Sequence, residues 1–243
     1  MQRYNGTDYS ATHGTDSALS SKLIIHIVIS LISLSGLIVY YYAFLLGYKK
    51  HNSQLKKQSK IPEKLYFMST YPALIWYVLP FIEQPRMHGI YDWLNGEFVF
   101  FNVLYIPVSF LLFVYFFGIW GKKSVSQNIE ATKSAFYAPS KLLTEGIYAR
   151  VQHPMIIGDI LGHFSLVLLT GGIYTCILFP IYVFIDLFMI KIQVKYSLEP
   201  YYKSELIVYR KKTPVLLDQK LLFIVLFMAL LVICNFLNYT KII

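Results

Sequence analysis

Charge is what this chain has least of. Only 14% of its 243 residues are Asp, Glu, Lys or Arg, where an ordinary soluble domain carries about a quarter. That shortage excludes a water-soluble globular domain, and a mean hydropathy of +0.51 agrees. Acids are the scarcer sign, with 13 Asp and Glu against 22 Lys and Arg and a formal charge of +9. The cations fall between apolar runs rather than on one folded face, so the expected partner is a membrane and no nucleic acid. Cysteine is almost missing. Cys176 and Cys234 both lie in apolar runs, which reads them as small buried hydrophobes rather than a disulfide or metal ligands. No secretory signal peptide is evident, since the first 22 residues are polar and the apolar run after them is too long for an h-region. An internal repeat is also missing, which argues against a transporter.

What the chain has in abundance is apolar and aromatic residue: 56% hydrophobic, with 21 Tyr and 18 Phe. Such rings suit membrane interfaces. After a Ser/Thr/Gly/Asp-rich segment, 1–22, read as a mobile non-cytoplasmic tail, six apolar runs follow at 23–47, 65–82, 98–120, 155–170, 173–190 and 221–238. Roughly 20 apolar residues cross a bilayer core. The expectation is therefore an all-α integral membrane fold, a single polytopic domain over 23–243 with about six transmembrane helices. Pro72 and Pro80 interrupt the second run and predict a kink. The fourth and fifth runs, joined only by Thr170-Gly171-Gly172, predict a short helical hairpin over 155–190.

Charge sets the expected orientation. The segments 48–64, 121–154 and 191–220 hold 18 of the 22 Lys and Arg, leaving Arg3, Lys22, Arg86 and Lys241 for the other side. By the positive-inside rule the three basic segments are cytoplasmic and both termini non-cytoplasmic. The expected location is the endoplasmic reticulum in a eukaryote and otherwise the plasma membrane. Asn5-Gly6-Thr7 forms a glycosylation sequon, meaningful only if the tail faces a secretory lumen.

One stretch organises the chemistry: 142–163, which passes from a polar, glycine-containing approach through His153-Pro154 into the fourth apolar run. Proline suits a first helical position, where its missing N–H has no partner to lose. Asp159 and Asp186 are the only Asp, Glu, Lys or Arg inside the apolar runs. Five residues separate each from the basic side, so at 1.5 Å per residue both sit roughly 7 Å below that interface. His163 follows Asp159 by four residues on the same face, about a turn deeper. Gln193 follows Asp186 by seven, nearer water. Intramembrane ionisable groups are expensive and point to function, making Asp159, His163 and Asp186 the catalytic candidates. The plain alternatives are that Asp159 bonds backbone at the helix start and that His163 is a polar contact between helices. Two such ligands are too few for a metal. Gly158 and Gly162 permit close helix packing or the approach of a ligand. The later segment sets Tyr196, Tyr201, Tyr202 and Tyr209 among Lys203, Arg210, Lys211 and Lys212 before Pro214, as an interfacial amphipathic segment, a lid, or both.

Leu142/Leu143, Gly146, Tyr148, Gln152, His153, Pro154 and Gly158, with Gln193-Val194, Tyr201-Tyr202, Tyr209 and Pro214, resemble the isoprenylcysteine carboxyl methyltransferase and phospholipid methyltransferase superfamily. The likeness covers about 75 residues of the second half, within 140–216, and leaves 221–238 as an extra C-terminal span. Where that family carries Arg before His-Pro and a Glu-Glu pair later, this chain has Gln152 and Gln193-Val194. The resemblance implies an enzyme that binds S-adenosylmethionine through Gly146, Tyr148, Gln152, His153, Pro154, Gly158, Gln193, Tyr201 and Tyr209. It implies a methyl acceptor that is a lipid or lipidated molecule. Gly158-Asp159 after His-Pro also resembles membrane sterol and steroid reductases, which implies NADPH as the alternative cofactor. A third reading is a catalytically degenerate binding or scaffold protein.

Overall fold

The computed structural model describes residues 10–52, 61–131 and 141–240; the Asn5 sequon lies outside them. The apolar runs fold as helices because a helix satisfies its backbone N–H and C=O groups internally, away from water. α1 spans Ser10–Asn52, so it begins within the polar N-terminal segment, and α2 spans Ile61–Val78. The two pack antiparallel: Tyr40 meets Tyr66 with ring centroids 5.0 Å apart, and Lys50 lies 3.5 Å from Glu63. Gly36 permits their approach, since a Cβ there would meet Ala73 N at 2.7 Å. Pro72 stays inside α2, while Pro80 falls in a 3-10 turn, Leu79–Phe81, that ends it.

After the short α3 (Ile90–Leu94), α4 (Asn102–Phe113) continues through a π-helical turn, Val114–Trp120, into α5 (Gly121–Ala131). A 3-10 turn, Gly146–Ala149, leads to α6 (Pro154–Thr170) and α7 (Ile173–Gln193), the expected hairpin. α7 runs on through a second π-helical turn, Val194–Leu198, into α8 (Glu199–Lys212), and α9 (Gln219–Tyr239) follows. Among the described residues the only β feature is an isolated bridge between Arg86 and Gly172.

Four helical runs are long and apolar enough to cross a membrane: Ser21–Lys50, Asn102–Ala131, Ile173–Lys212 and Gln219–Tyr239. The sequence expectation was about six. α2 is not among the four, and α6, with 17 residues, reaches only about 26 Å at 1.5 Å per residue, short of a roughly 30 Å hydrocarbon core. α6 has no need to span, because it lies inside the bundle. It contacts α3, α4, α5, α7, α9 and both the 79–81 and 114–120 turns, and 12 of its 17 residues are buried.

The basic segments gather at one end of the bundle. There Lys49 lies over the Tyr196 ring, Gln127 meets Ile147 and His153 meets Gln193. The other end is a polar clamp around the α6–α7 turn. Gly171 takes the left-handed conformation, φ +66°. Its carbonyl accepts from Met87 N at 2.8 Å, and Pro85 O accepts from Ile173 N at 3.0 Å. Gln84 donates to Leu79 O and accepts from Thr175 N, while Arg86 donates to Pro80 O, Ile82 O and Thr170 O. Such bonds replace the water that a turn at this depth lacks.

Gly171 and Gly96 test the clamp as a pair, because both have positive φ but a Cβ at Gly171 runs into the Met87 carbonyl while one at Gly96 meets nothing within 4 Å. Gly96→Ala is expected to lose only the left-handed penalty, about 1–2 kcal/mol. Gly171→Ala should lose clearly more, read as a larger fall in the thermal midpoint of the detergent-purified protein. Equal falls would show that the clamp yields freely.

Candidate functional site

The loop before α6 is fastened on three sides. Gly146, at φ +60°, turns so closely onto α5 that a Cβ would enter the Gln127 side chain, and Gln127 Oε1 accepts from Ile147 N at 3.3 Å. Tyr148 donates its hydroxyl to Ser124 O. Tyr209, on α8, donates to Tyr148 O at 2.5 Å. Gln152 is stitched to the segment after α8: its backbone N–H donates to Pro214 O at 3.0 Å and its Nε2 to Thr213 O at 2.6 Å. Arg150 grips Asp218 through Nε and Nη2 at 2.8 and 2.6 Å. Asp218 also caps α9, accepting from Leu221 N at 2.7 Å. Burial alone would raise its carboxyl, but the Leu221 bond and the Arg150 guanidinium outweigh that and hold it below the usual carboxylate range.

His153 stands at the N-cap of α6 and Pro154 at its first position, where the missing N–H is no loss. Pro154 O accepts from Trp120 Nε1 at 2.7 Å. Trp120 also fills the space over Gly158, where a Cβ would sit 2.9 Å from its Cδ1, and Phe117 does the same over Gly162 at 3.3 Å. Both glycines therefore serve helix packing. His153 Nδ1 lies 3.1 Å from Gln193 Oε1. An amide oxygen only accepts, so in this arrangement Nδ1 carries the proton. Burial pulls the imidazole pKa down to about 4; the Gln193 bond opposes this and the Arg210 charge adds to it.

Asp159 and Asp186 are brought together as their matched depths implied. Asp186 is buried, Asp159 half-buried, and they are close enough for their charges to interact. Tyr41 of α1 donates to Asp186 Oδ1, and Tyr40 lies within the field of Asp159. His163 is fully buried and stacks on Trp76 at 3.5 Å between centroids, with Tyr77 edge-on at 5.6 Å. Neither of its ring nitrogens has a hydrogen-bond partner among the described residues.

The structure thus unites Gly146, Tyr148, Gln152, His153, Pro154, Gln193 and Tyr209 in one junction, with Asp159 about one and a half turns into α6 and Asp186 across from it on α7. Of the tyrosines in this segment Tyr209 closes on the loop, while Tyr201 is exposed on α8. Trp120, Arg150, Asp218 and Tyr41 joined the site unannounced. The Asp218-before-helix pattern was the one available signal, as an N-cap; the others became visible only through contacts across many residues. Among the described residues no group of three His, Cys, Asp or Glu could hold a metal. No family model, curated protein or solved structure matches the chain.

Two measurements follow from the buried imidazoles. His153 binds a proton less readily folded than unfolded, so stability is full above about pH 6.5 and falls as pH drops toward 4, by on the order of 3 kcal/mol. His153→Gln should flatten that fall in a pH series of denaturation midpoints. For His163, Phe substitution keeps a stacked ring and removes two unpaired nitrogens. It should leave stability unchanged or raised, whereas His163→Ala should cost about 3–5 kcal/mol, as for truncation of a buried ring. A marked loss with Phe would show that the nitrogens have a partner.

Proposed function

We propose that this protein is a multi-pass membrane methyltransferase, transferring a methyl group from S-adenosylmethionine to a lipophilic acceptor: a prenylcysteine carboxylate, a lipid headgroup amine or a thiol. The observation that carries the reading is the junction itself. His153 and Gln193, 40 residues apart, meet at 3.1 Å, while Tyr209 and Thr213 close on Tyr148 and Gln152. The two motif blocks of the resemblance therefore meet at the basic end of the bundle, the end that the positive-inside rule favours as cytoplasmic.

The residues fit the cofactor. Gln152, His153, Gln193, Tyr148 and Tyr209 offer neutral donors and acceptors, which suit a zwitterion, and the nearby Asp159–Asp186 pair, two carboxyls that cannot readily both ionise, would favour a sulfonium through at most one negative charge. When bound, S-adenosylmethionine supplies an electrophilic methyl that an acceptor lone pair takes in line as the C–S bond breaks. The protein's part is alignment and exclusion of water, so no base need be strong. Gln152 and Gln193 keep, as neutral hydrogen-bonding groups, the tie between blocks that the family makes with charge. Tyr41 orients the Asp186 carboxylate, and Asp159, half-buried, is the member of the pair a substrate can reach from the bilayer.

Calorimetry on the detergent-purified chain tests the reading. S-adenosylmethionine should bind and NADPH should not; NADPH binding alone would make it a reductase, and binding of neither a scaffold. Tyr209→Phe should weaken cofactor binding by about 0.5–1.5 kcal/mol, the worth of one hydrogen bond. Asp159→Asn with Asp186→Asn should lower both binding and turnover; if both stayed intact, the acid pair has no part in the chemistry.

A further inference from the structure

Beyond the junction, a cleft of about 800 Å³ opens between the end of the 114–120 turn, α5 and the loop at Gly146–Ile147. That size suits a small-molecule headgroup. Its cations are Lys122, Lys123 and Arg150, and among the described residues no Asp or Glu lines it. Arg150 is held rather than loose: Asp218 takes Nε and Nη2, and the guanidinium lies 5.0 Å from the Trp120 ring centroid. A fixed guanidinium loses little freedom when a ligand arrives. Asp218 offsets part of its charge, so the uncompensated cations are the two lysines.

The other half of the cleft is apolar. Tyr115 and Ile119, one to two turns before the lysines, are exposed on the same run that is apolar enough to cross a membrane. A Cβ at Gly118 would meet nothing within 4 Å, so the wall between them is open. The cleft thus presents cations at the basic end and an open apolar wall running from them into the hydrocarbon. We propose that it binds a phosphate-bearing ligand, the phosphate seated between Lys122, Lys123 and Arg150 and any acyl chain lying along Tyr115 and Ile119. A phosphate beside two lysines and a clamped arginine gains charge-assisted bonds. A sulfonium would be repelled by these cations, so although the cleft shares Gly146, Trp120 and Arg150 with the junction, the phosphate seat at Lys122 and Lys123 is distinct from the methyl donor's.

Calorimetry on the full chain in uncharged detergent tests this with dioctanoyl phosphatidic acid, dioctanoylglycerol and inorganic pyrophosphate. The phosphatidic acid should bind at least about tenfold more tightly than the glycerol, and Lys122→Gln/Lys123→Gln should remove at least tenfold of that affinity. Lys211→Gln/Lys212→Gln removes the same charge from α8 and should change it less than about twofold. Phosphatidic acid well ahead of pyrophosphate assigns the phosphate to a lipid; pyrophosphate at equal strength assigns it to a soluble ligand. Equal binding of phosphatidic acid and dioctanoylglycerol, or equal losses in the two double variants, would overturn the site. S-adenosylmethionine titrated into the same preparations reads the methyltransferase proposal separately, since Lys122 and Lys123 lie outside the junction.

Discussion

A short helix buried inside a bundle takes its position, and partners for its end groups, from the chain around it. α6 is that helix. At its C-terminal end Gly171 O and Thr170 O accept from Met87 N and Arg86; near its start Trp120 Nε1 donates to Pro154 O and ties the first turn to the π-helical turn. The rest of the fold follows from these obligations. The 79–90 segment folds inward to reach the turn, and Trp120 sets how closely the π-helical turn lies on Gly158.

The same obligation explains the candidate site. A loop entering a buried helix has to give its own polar groups partners, and it finds them on α5, α7, α8 and the Thr213–Pro214 segment. Residues that read as ligand-binding are thereby also the ones that hold the loop in place. Gln152 shows the overlap most plainly, with both its backbone and side-chain nitrogens bonded to the segment after α8. A ligand at this junction would meet an already ordered frame, which lowers the entropy lost on binding.

Polar groups elsewhere in the interior are arranged by depth. Gln84, Thr175 and Arg86 cluster at one end, His163 with Trp76 in the middle, and Asp159, Asp186 and Tyr41 toward the basic end. The first cluster is saturated with hydrogen bonds, as structural polar groups in a core are. His163 is not, and its stacking on Trp76 retains the ring through contact area instead.

The sequence alone pointed to a helical membrane protein, because its apolar stretches are continuous runs of about 16 to 25 residues rather than the short alternating segments of a barrel. It also determined the α6–α7 hairpin and the proline start after His153, each of which depends on local spacing along one helix or across one tight turn. Tertiary structure decided the rest. That α6 is interior rather than lipid-facing cannot be read from its own residues, since apolar side chains suit protein and lipid alike. Whether Gly158 admits a ligand or Trp120, and where Gln152 and Arg150 find their partners, depends on groups 34 to 68 residues away. Side chains that meet only when helices pack leave no period in the sequence, which is why the junction's residues were legible and its bonds were not.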